Sequence, residues 1–147
     1  MKRLRKFFRL PAAKRHCLID AVLLLPTIKA CLMVFRFQTL RDLLAGLTGL
    51  PPLIRGSQGG STEEVVWAVE LAGALMPWAS TCLTQALTAQ VLLLRRGRPA
   101  HVHIGTLRGK DGNFQAHAWV ESRGEVLVGG HELEQFTPLV VLDGGRR

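Results

Sequence analysis

The sequence is poor in cysteine and lacks a pattern that would pair its thiols. Its 147 residues contain three cysteines, Cys17, Cys31 and Cys82. An odd count in a chain of this size argues against a disulfide framework. Cys17 and Cys31 lie in a stretch predicted to be helical, where they would be about 21 Å apart, beyond the roughly 7 Å that a disulfide spans. We therefore expect reduced thiols and a cytoplasmic protein.

Long uninterrupted apolar runs are also missing. The most apolar stretch, residues 17–35, is broken by Asp20, Pro26 and Lys29, whereas a membrane-spanning helix needs about 20 nearly continuous apolar residues. No small-residue cleavage motif follows a compact apolar region, so a signal peptide is not expected either. Internal repeats and long low-complexity segments are absent. The length predicts one domain, residues 1–147, with one hydrophobic core.

Acidic residues are few, and the chain carries a net charge of +8 from 19 basic and 11 acidic residues. The basic residues concentrate at Met1–Lys6, at 95–98 and at 146–147. No aromatic residues are interleaved with them and no zinc-finger spacing is present, so nucleic-acid binding is not expected. The remaining interpretations are a solvated surface, a surface for an acidic partner, and weak contact of the basic, apolar N-terminus with a membrane surface.

What is present is a first half with helical patterns, followed by short segments in which apolar and polar residues alternate. The patterns predict helices at 11–24, 27–37, 39–47, 61–76 and 80–96, with a kink or a helix end at Pro26 and a loop at Gly49–Gly60. Ser61 and Glu64 form a capping-box pattern at the fourth helix. Strands are predicted at 100–107, 116–121, 125–128 and 138–142. The fold class is therefore α+β: a helical part, residues 1–50, and a core, residues 61–147, that ends in an antiparallel meander.

Two residues are candidates for chemistry. Cys82 opens a predicted helix, where amide N–H groups and the helix dipole stabilise a thiolate. A small buried core cysteine is the structural alternative. His117 lies on a predicted strand, on the same face as Trp119 and Glu121, and beside a thiol it would be a general base. On its own, a strand histidine is more often structural.

His101 and His103 share one face of another predicted strand. Two such histidines are a weak metal signal, because no third ligand has convincing spacing. No metal and no cofactor is expected.

The segments around Cys82 and His117 resemble those of a known family. Ala79-Ser80-Thr81-Cys82-Leu83 opens a helix, Val102–Gly105 forms a strand, and Phe114–Glu121 contains the string Ala-His-Ala-Trp-Val-Glu. Together they are similar to the transglutaminase-like cysteine peptidase of lasso peptide clusters, the lasso B protein, over residues 60–130. The resemblance implies a papain-like core, a Cys-His-Asp triad and cleavage of the leader from a precursor peptide. It also implies a leader-recognition protein, here a separate chain, and a lasso cyclase.

The third triad member departs from the family pattern. The family usually carries an Asp about a dozen residues after the His, but Val128–Glu132 contains none. Glu132 is the candidate for this role and Asp143 is an alternative, whereas Glu121, on the His117 face, is expected to have a structural part. A third member orients the imidazole and fixes its tautomer. The missing Asp leaves a second interpretation open, a catalytically inactive module of the same fold that binds and presents the precursor peptide.

Overall fold

Helices fill the first part of the chain and strands the second. The computed structural model describes residues 2–48 and 60–143, and these ranges contain α1 (Lys2–Phe8), α2 (Ala12–Val34), α3 (Phe37–Thr48), α4 (Thr62–Leu75), α5 (Cys82–Arg95), β1 (His101–Arg108), β2 (Phe114–Ser122), β3 (Glu125–Val128) and β4 (Thr137–Asp143), with a short 3-10 helix at Leu133–Gln135. The α+β prediction is confirmed. The predicted loop at 49–60, except Gly60, lies outside the described residues.

The sheet is antiparallel, but it is not a meander. Its strand order is β3-β2-β1-β4, so β4 pairs with β1 instead of β3. The predicted meander is wrong: β4 pairs along the free edge of β1, where Leu142 lies opposite Val102 and both residues join the core. Gln90 of α5 holds the arrangement together, since its Nε2 donates to the carbonyl of Ala100 at 3.1 Å and to that of Leu142 at 2.7 Å.

The core lies between the helices and one face of the sheet. α2 packs against α4 and α5, and α5 packs against β2 and β1. From the sheet, the residues buried in this core are Val102, Ala118, Val120, Val128 and Leu142. Alternation along each strand sends their neighbours to the opposite face, which we call the outer face of the sheet.

Helix α2 continues through Pro26, so the helix does not end there and the predicted division into helices 11–24 and 27–37 is wrong. Proline lacks the N–H for one helical hydrogen bond and its ring crowds the preceding turn, a cost of about 3 kcal/mol. Leu24, Leu25 and Ile28 surround Pro26, and all three are buried. Each buried side chain of this size contributes about 1.5–3 kcal/mol. Packing of the flanking residues thus outweighs the local cost of proline.

Length and composition alone would allow α2 to span a membrane. Among the described residues it is the one helix with this property, with a mean hydropathy of 2.1, and 39% of its most apolar window is buried within the fold. Cys17, Leu18, Ala21, Leu24 and Ile28 belong to the hydrophobic core. This face of α2 is therefore a core face, and the cytoplasmic location stays a prediction.

Candidate active site

Cys82 is the first residue of α5, as the sequence predicted. Thr81 and Thr84 form a reciprocal capping box at this helix start. Thr84 N–H donates to Thr81 Oγ1 at 3.2 Å, and Thr81 N–H donates to Thr84 Oγ1 at 2.8 Å. Thr84 Oγ1 also donates to the carbonyl of Ala79 at 2.9 Å, which ties the preceding turn to the helix. The backbone that carries Cys82 is thus fixed on both sides.

The Cys82 side chain is half-buried and packs against the edge of the core. Within the described ranges its backbone N–H makes no hydrogen bond, so it is free to donate to a ligand at the helix N-terminus. The sequence does not identify a second such donor, and residues 78–81 are the place to look for one. The N–H groups of Ala79 and Ser80 donate instead to the carbonyls of Met76 and Pro77, and that of Thr81 donates to Thr84.

His117 lies on β2 opposite Gly105 of β1, and its imidazole is held by three neighbours. Nε2 lies 2.7 Å from the carbonyl oxygen of Gly129. The ring centroid is 5.1 Å from that of Phe136 and 6.3 Å from that of Trp119. The side chain is half-buried. One polar contact and two ring contacts therefore set its orientation.

Trp119 is the centre of a row of rings on the outer face of the sheet. It is 5% exposed yet does not belong to the helix-side core. Gly105 makes room for it, because a Cβ there would lie 3.0 Å from the indole. The His103 ring stacks on the indole with a centroid separation of 5.4 Å and an interplanar angle of 9°. Trp119 is thus in ring contact with His103 as well as with His117.

The structure places Cys82 and His117 in different surroundings. Cys82 packs with the helix-side core, whereas His117 precedes Ala118, which faces that core, so His117 belongs to the outer face. In the part of the chain that is described, no hydrogen bond joins Cys82 Sγ to the imidazole. The catalytic pairing of these two residues stays a prediction.

The candidate third members have other surroundings than expected. Glu132 is exposed, with a left-handed backbone at φ 56°, before the 3-10 helix. Across residues 60–143 the structure shows no hydrogen bond between Glu132 and His117. Asp143 Oδ1 lies 2.6 Å from His101 Nδ1, and Glu121 Oε2 lies 3.3 Å from His103 Nε2. The assignment of Glu132 stays a prediction that this geometry does not support.

Gly129 is the residue at this site that sequence reasoning missed. Its carbonyl oxygen accepts a hydrogen bond from His117. Every residue has a backbone carbonyl, so the amino-acid type at this position does not reveal the contact. The available signals were the Gly129-Gly130 turn and its distance from His117, which matches the position of the family's Asp.

His101 and His103 each pair with a carboxylate, as described above. Across the two described ranges, no group of three or more His, Cys, Asp or Glu side chains is arranged to hold a metal ion. The three cysteines are free thiols. The chemical groups available at this site are therefore a half-buried thiol at a helix start and an oriented imidazole.

Comparison with known proteins identifies a family. A family model described as the Transglutaminase-like superfamily matches residues 21–141, from within α2 to within β4. No curated protein matches the chain, and neither does any solved structure. The matched range includes both Cys82 and His117.

Proposed function

The chain belongs to the transglutaminase-like superfamily, and we propose that it is a cysteine peptidase with Cys82 as nucleophile and His117 as base. One observation carries this proposal: Cys82 is the half-buried first residue of α5, with a free backbone N–H. The N–H of Cys82 and the positive end of the helix dipole favour negative charge on a carbonyl oxygen that is attacked at this position. Cys17, by contrast, is fully buried.

The reaction would proceed through a thioester. The imidazole of His117 takes the Cys82 proton, and the sulfur attacks the carbonyl carbon of the scissile peptide bond. The N–H of Cys82 donates to the oxyanion that forms. The leaving amine departs with the proton from His117, and water then hydrolyses the thioester to a carboxylate and regenerates the thiol. This sequence requires the imidazole and Sγ to come within hydrogen-bond distance when substrate is bound.

The proposed substrate is the precursor of a lasso peptide, from which the enzyme removes the leader. Support comes from the resemblance of the segments around Cys82 and of Phe114–Glu121 to lasso B proteins. A separate leader-recognition protein would present the precursor, and a lasso cyclase would close the ring of the released core peptide.

The direct test is cleavage of a candidate precursor, supplied with a leader-binding partner and followed by mass spectrometry. The wild-type protein should release the leader, and Cys82→Ala should be at least about 1,000-fold slower because the nucleophile is gone. His117→Gln should lose about 100-fold or more. Cys31→Ala, which removes another half-buried thiol, is the matched control and should cleave normally. Cleavage at the wild-type rate by Cys82→Ala would refute the proposal.

A second candidate function is the inactive module that binds and presents the precursor. Two observations favour it: within residues 60–143, Cys82 and His117 share no hydrogen bond, and the imidazole has no carboxylate partner. Alkylation by iodoacetamide at neutral pH separates the two candidates. A peptidase should alkylate fastest at Cys82, and His117→Gln should remove the advantage over Cys31. Equal rates at Cys82 and Cys31 in the wild-type protein would favour the inactive module.

A further inference from the structure

The contact between His117 and Gly129 determines which ring nitrogen carries the proton. Nε2 lies 2.7 Å from the Gly129 carbonyl oxygen, and a carbonyl oxygen can only accept a hydrogen bond. Nε2 must therefore be the donor. A neutral imidazole has one N–H, so its other nitrogen, Nδ1, presents a lone pair.

Gly129 reaches this position because it has no side chain. Its φ is +78°, in the left-handed region. A Cβ there would lie 2.7 Å from the carbonyl oxygen of Ala118 and 3.2 Å from Trp119 Cα. Contacts this short require the backbone to move. The close approach of Gly129 to β2 thus depends on glycine, and it brings the carbonyl against His117.

Ring contacts reinforce the orientation. Phe136 and Trp119 lie against the imidazole, as described for the site, and their positions restrict rotation of the ring about its side-chain bonds. Rotation that exchanged the two nitrogens would also break the hydrogen bond to Gly129. The imidazole therefore has one favoured orientation and one favoured tautomer.

We infer that the backbone carbonyl of Gly129 is the positioning group for His117, in the role that a carboxylate has in a Cys-His-Asp triad. Its catalytic consequence rests on the proposed function. Nδ1 would take the proton from Cys82 and later deliver it to the leaving amine, while the other proton stays on Nε2, hydrogen-bonded to the Gly129 carbonyl throughout. A neutral carbonyl orients the ring but stabilises the imidazolium less than a carboxylate does, because it carries no net charge.

The tautomer is measurable without any assay of cleavage. Long-range proton–nitrogen NMR spectra of the full chain, labelled with ¹⁵N-histidine, distinguish the two ring nitrogens, and His117→Gln identifies the His117 signals. At a pH where the imidazole is neutral, we expect the Nε2–H form to dominate. A dominant Nδ1–H form would overturn the inference.

Two glycine substitutions test whether the Gly129 carbonyl sets the tautomer of His117. Gly129→Ala should displace the carbonyl and populate both tautomers of His117. Gly124→Ala is the matched control, because Gly124 has φ +82° but nothing within 4 Å of its Cβ position, and it should leave the tautomer unchanged. An unchanged tautomer in folded Gly129→Ala would contradict the inference. If Gly129→Ala does not fold, the wild-type spectrum alone decides.

Cleavage kinetics separate this inference from the proposed function. In a folded, active protein, Gly129→Ala should lower kcat about 10- to 100-fold through misplacement of the base, with little change in KM. An Nε2–H tautomer in a protein that cleaves nothing would support the positioning and refute the peptidase. Cleavage by a protein with His117 in the Nδ1–H form would support the peptidase and refute the positioning.

Discussion

Cys17 contacts a buried ion pair between Asp20 of α2 and Arg96, the residue that follows α5. Arg96 Nη2 donates to Cys17 Sγ at 3.1 Å and lies 3.5 Å from Asp20 Oδ2, with the Arg96 and Asp20 side chains 2% and 1% exposed. Charges removed from water are costly unless they are paired. Burial raises the pKa of the Cys17 thiol, and the positive charge of Arg96 opposes this shift. Folding thus favours the protonated thiol.

This shift predicts a loss of stability at alkaline pH. Above the ordinary thiol pKa of 9.0, the unfolded chain releases the Cys17 proton while the folded protein keeps it. The free energy of unfolding should therefore fall as the pH rises, by up to about 1.4 kcal/mol per pH unit from this group. Below that pH the contribution of the thiol is fully present. Urea unfolding between pH 7.5 and 10, under reducing conditions, measures the slope.

Two variants isolate the contribution of Cys17 from that of other titrating groups. Cys17→Ala should lose part of the alkaline slope, although its stability at neutral pH also changes because the contact with Arg96 is gone. Cys31→Ala, which removes another thiol, is the matched control. Identical slopes for Cys17→Ala and the wild-type protein would show that the thiol does not contribute.

At the scale of single elements, local signals predicted the starts of α4 and α5 well, but they missed α1 and divided α2 into two helices. The capping box of Ser61 and Glu64 is present as predicted, with both reciprocal hydrogen bonds formed. Helix α5 begins at Cys82 as predicted. The residues that form a helix cap lie within one turn of each other, so a short stretch of sequence is enough to recognise them. The continuation of α2 past Pro26 depends on residues far along the chain.

Replacing Pro26 should therefore stabilise the protein. Alanine at this position restores the backbone N–H and removes the ring from the preceding turn, so we expect Pro26→Ala to raise the free energy of unfolding by about 1–3 kcal/mol. The measurement is denaturant unfolding followed by circular dichroism at 222 nm.

Pro11 supplies the control for this substitution. It precedes the same helix, at the N-cap, with φ −51°. Proline fits a helix start, so Pro11→Ala should give no gain in stability. A decrease in stability for Pro26→Ala would mean that packing of the proline ring stabilises the protein by more than the restored hydrogen bond does.

At the scale of the whole molecule, the helical part and the sheet share one core. Leu18, Leu24 and Ile28 of α2 lie in the same buried cluster as Val65 of α4 and Val120 of β2. The family match also begins within α2 and crosses the predicted boundary between the helical part and the core. Weak membrane-surface contact of the N-terminus stays a prediction.

The shared core predicts that residues 60–147 do not fold alone. Removing α2 would expose the apolar faces of α4 and α5, so this fragment should unfold without a cooperative transition and bind a hydrophobic dye. A fragment of residues 10–147, which lacks only α1 and its connection, should keep a cooperative transition. Sharp cooperative unfolding of residues 60–147 would show that the sheet and the last two helices form an independent unit.

The sequence by itself determined the class of the fold, the start of α5 at Cys82 and the alternation that puts His117 and Trp119 on one face of β2. Each follows from interactions between residues close in the chain. Only the tertiary structure decided that β4 pairs with β1, that α2 runs through Pro26 and that the Gly129 carbonyl accepts a hydrogen bond from His117. These features depend on contacts between distant segments and, for Gly129, on a backbone atom that every residue possesses. Residue identity alone therefore carries no signal for that contact.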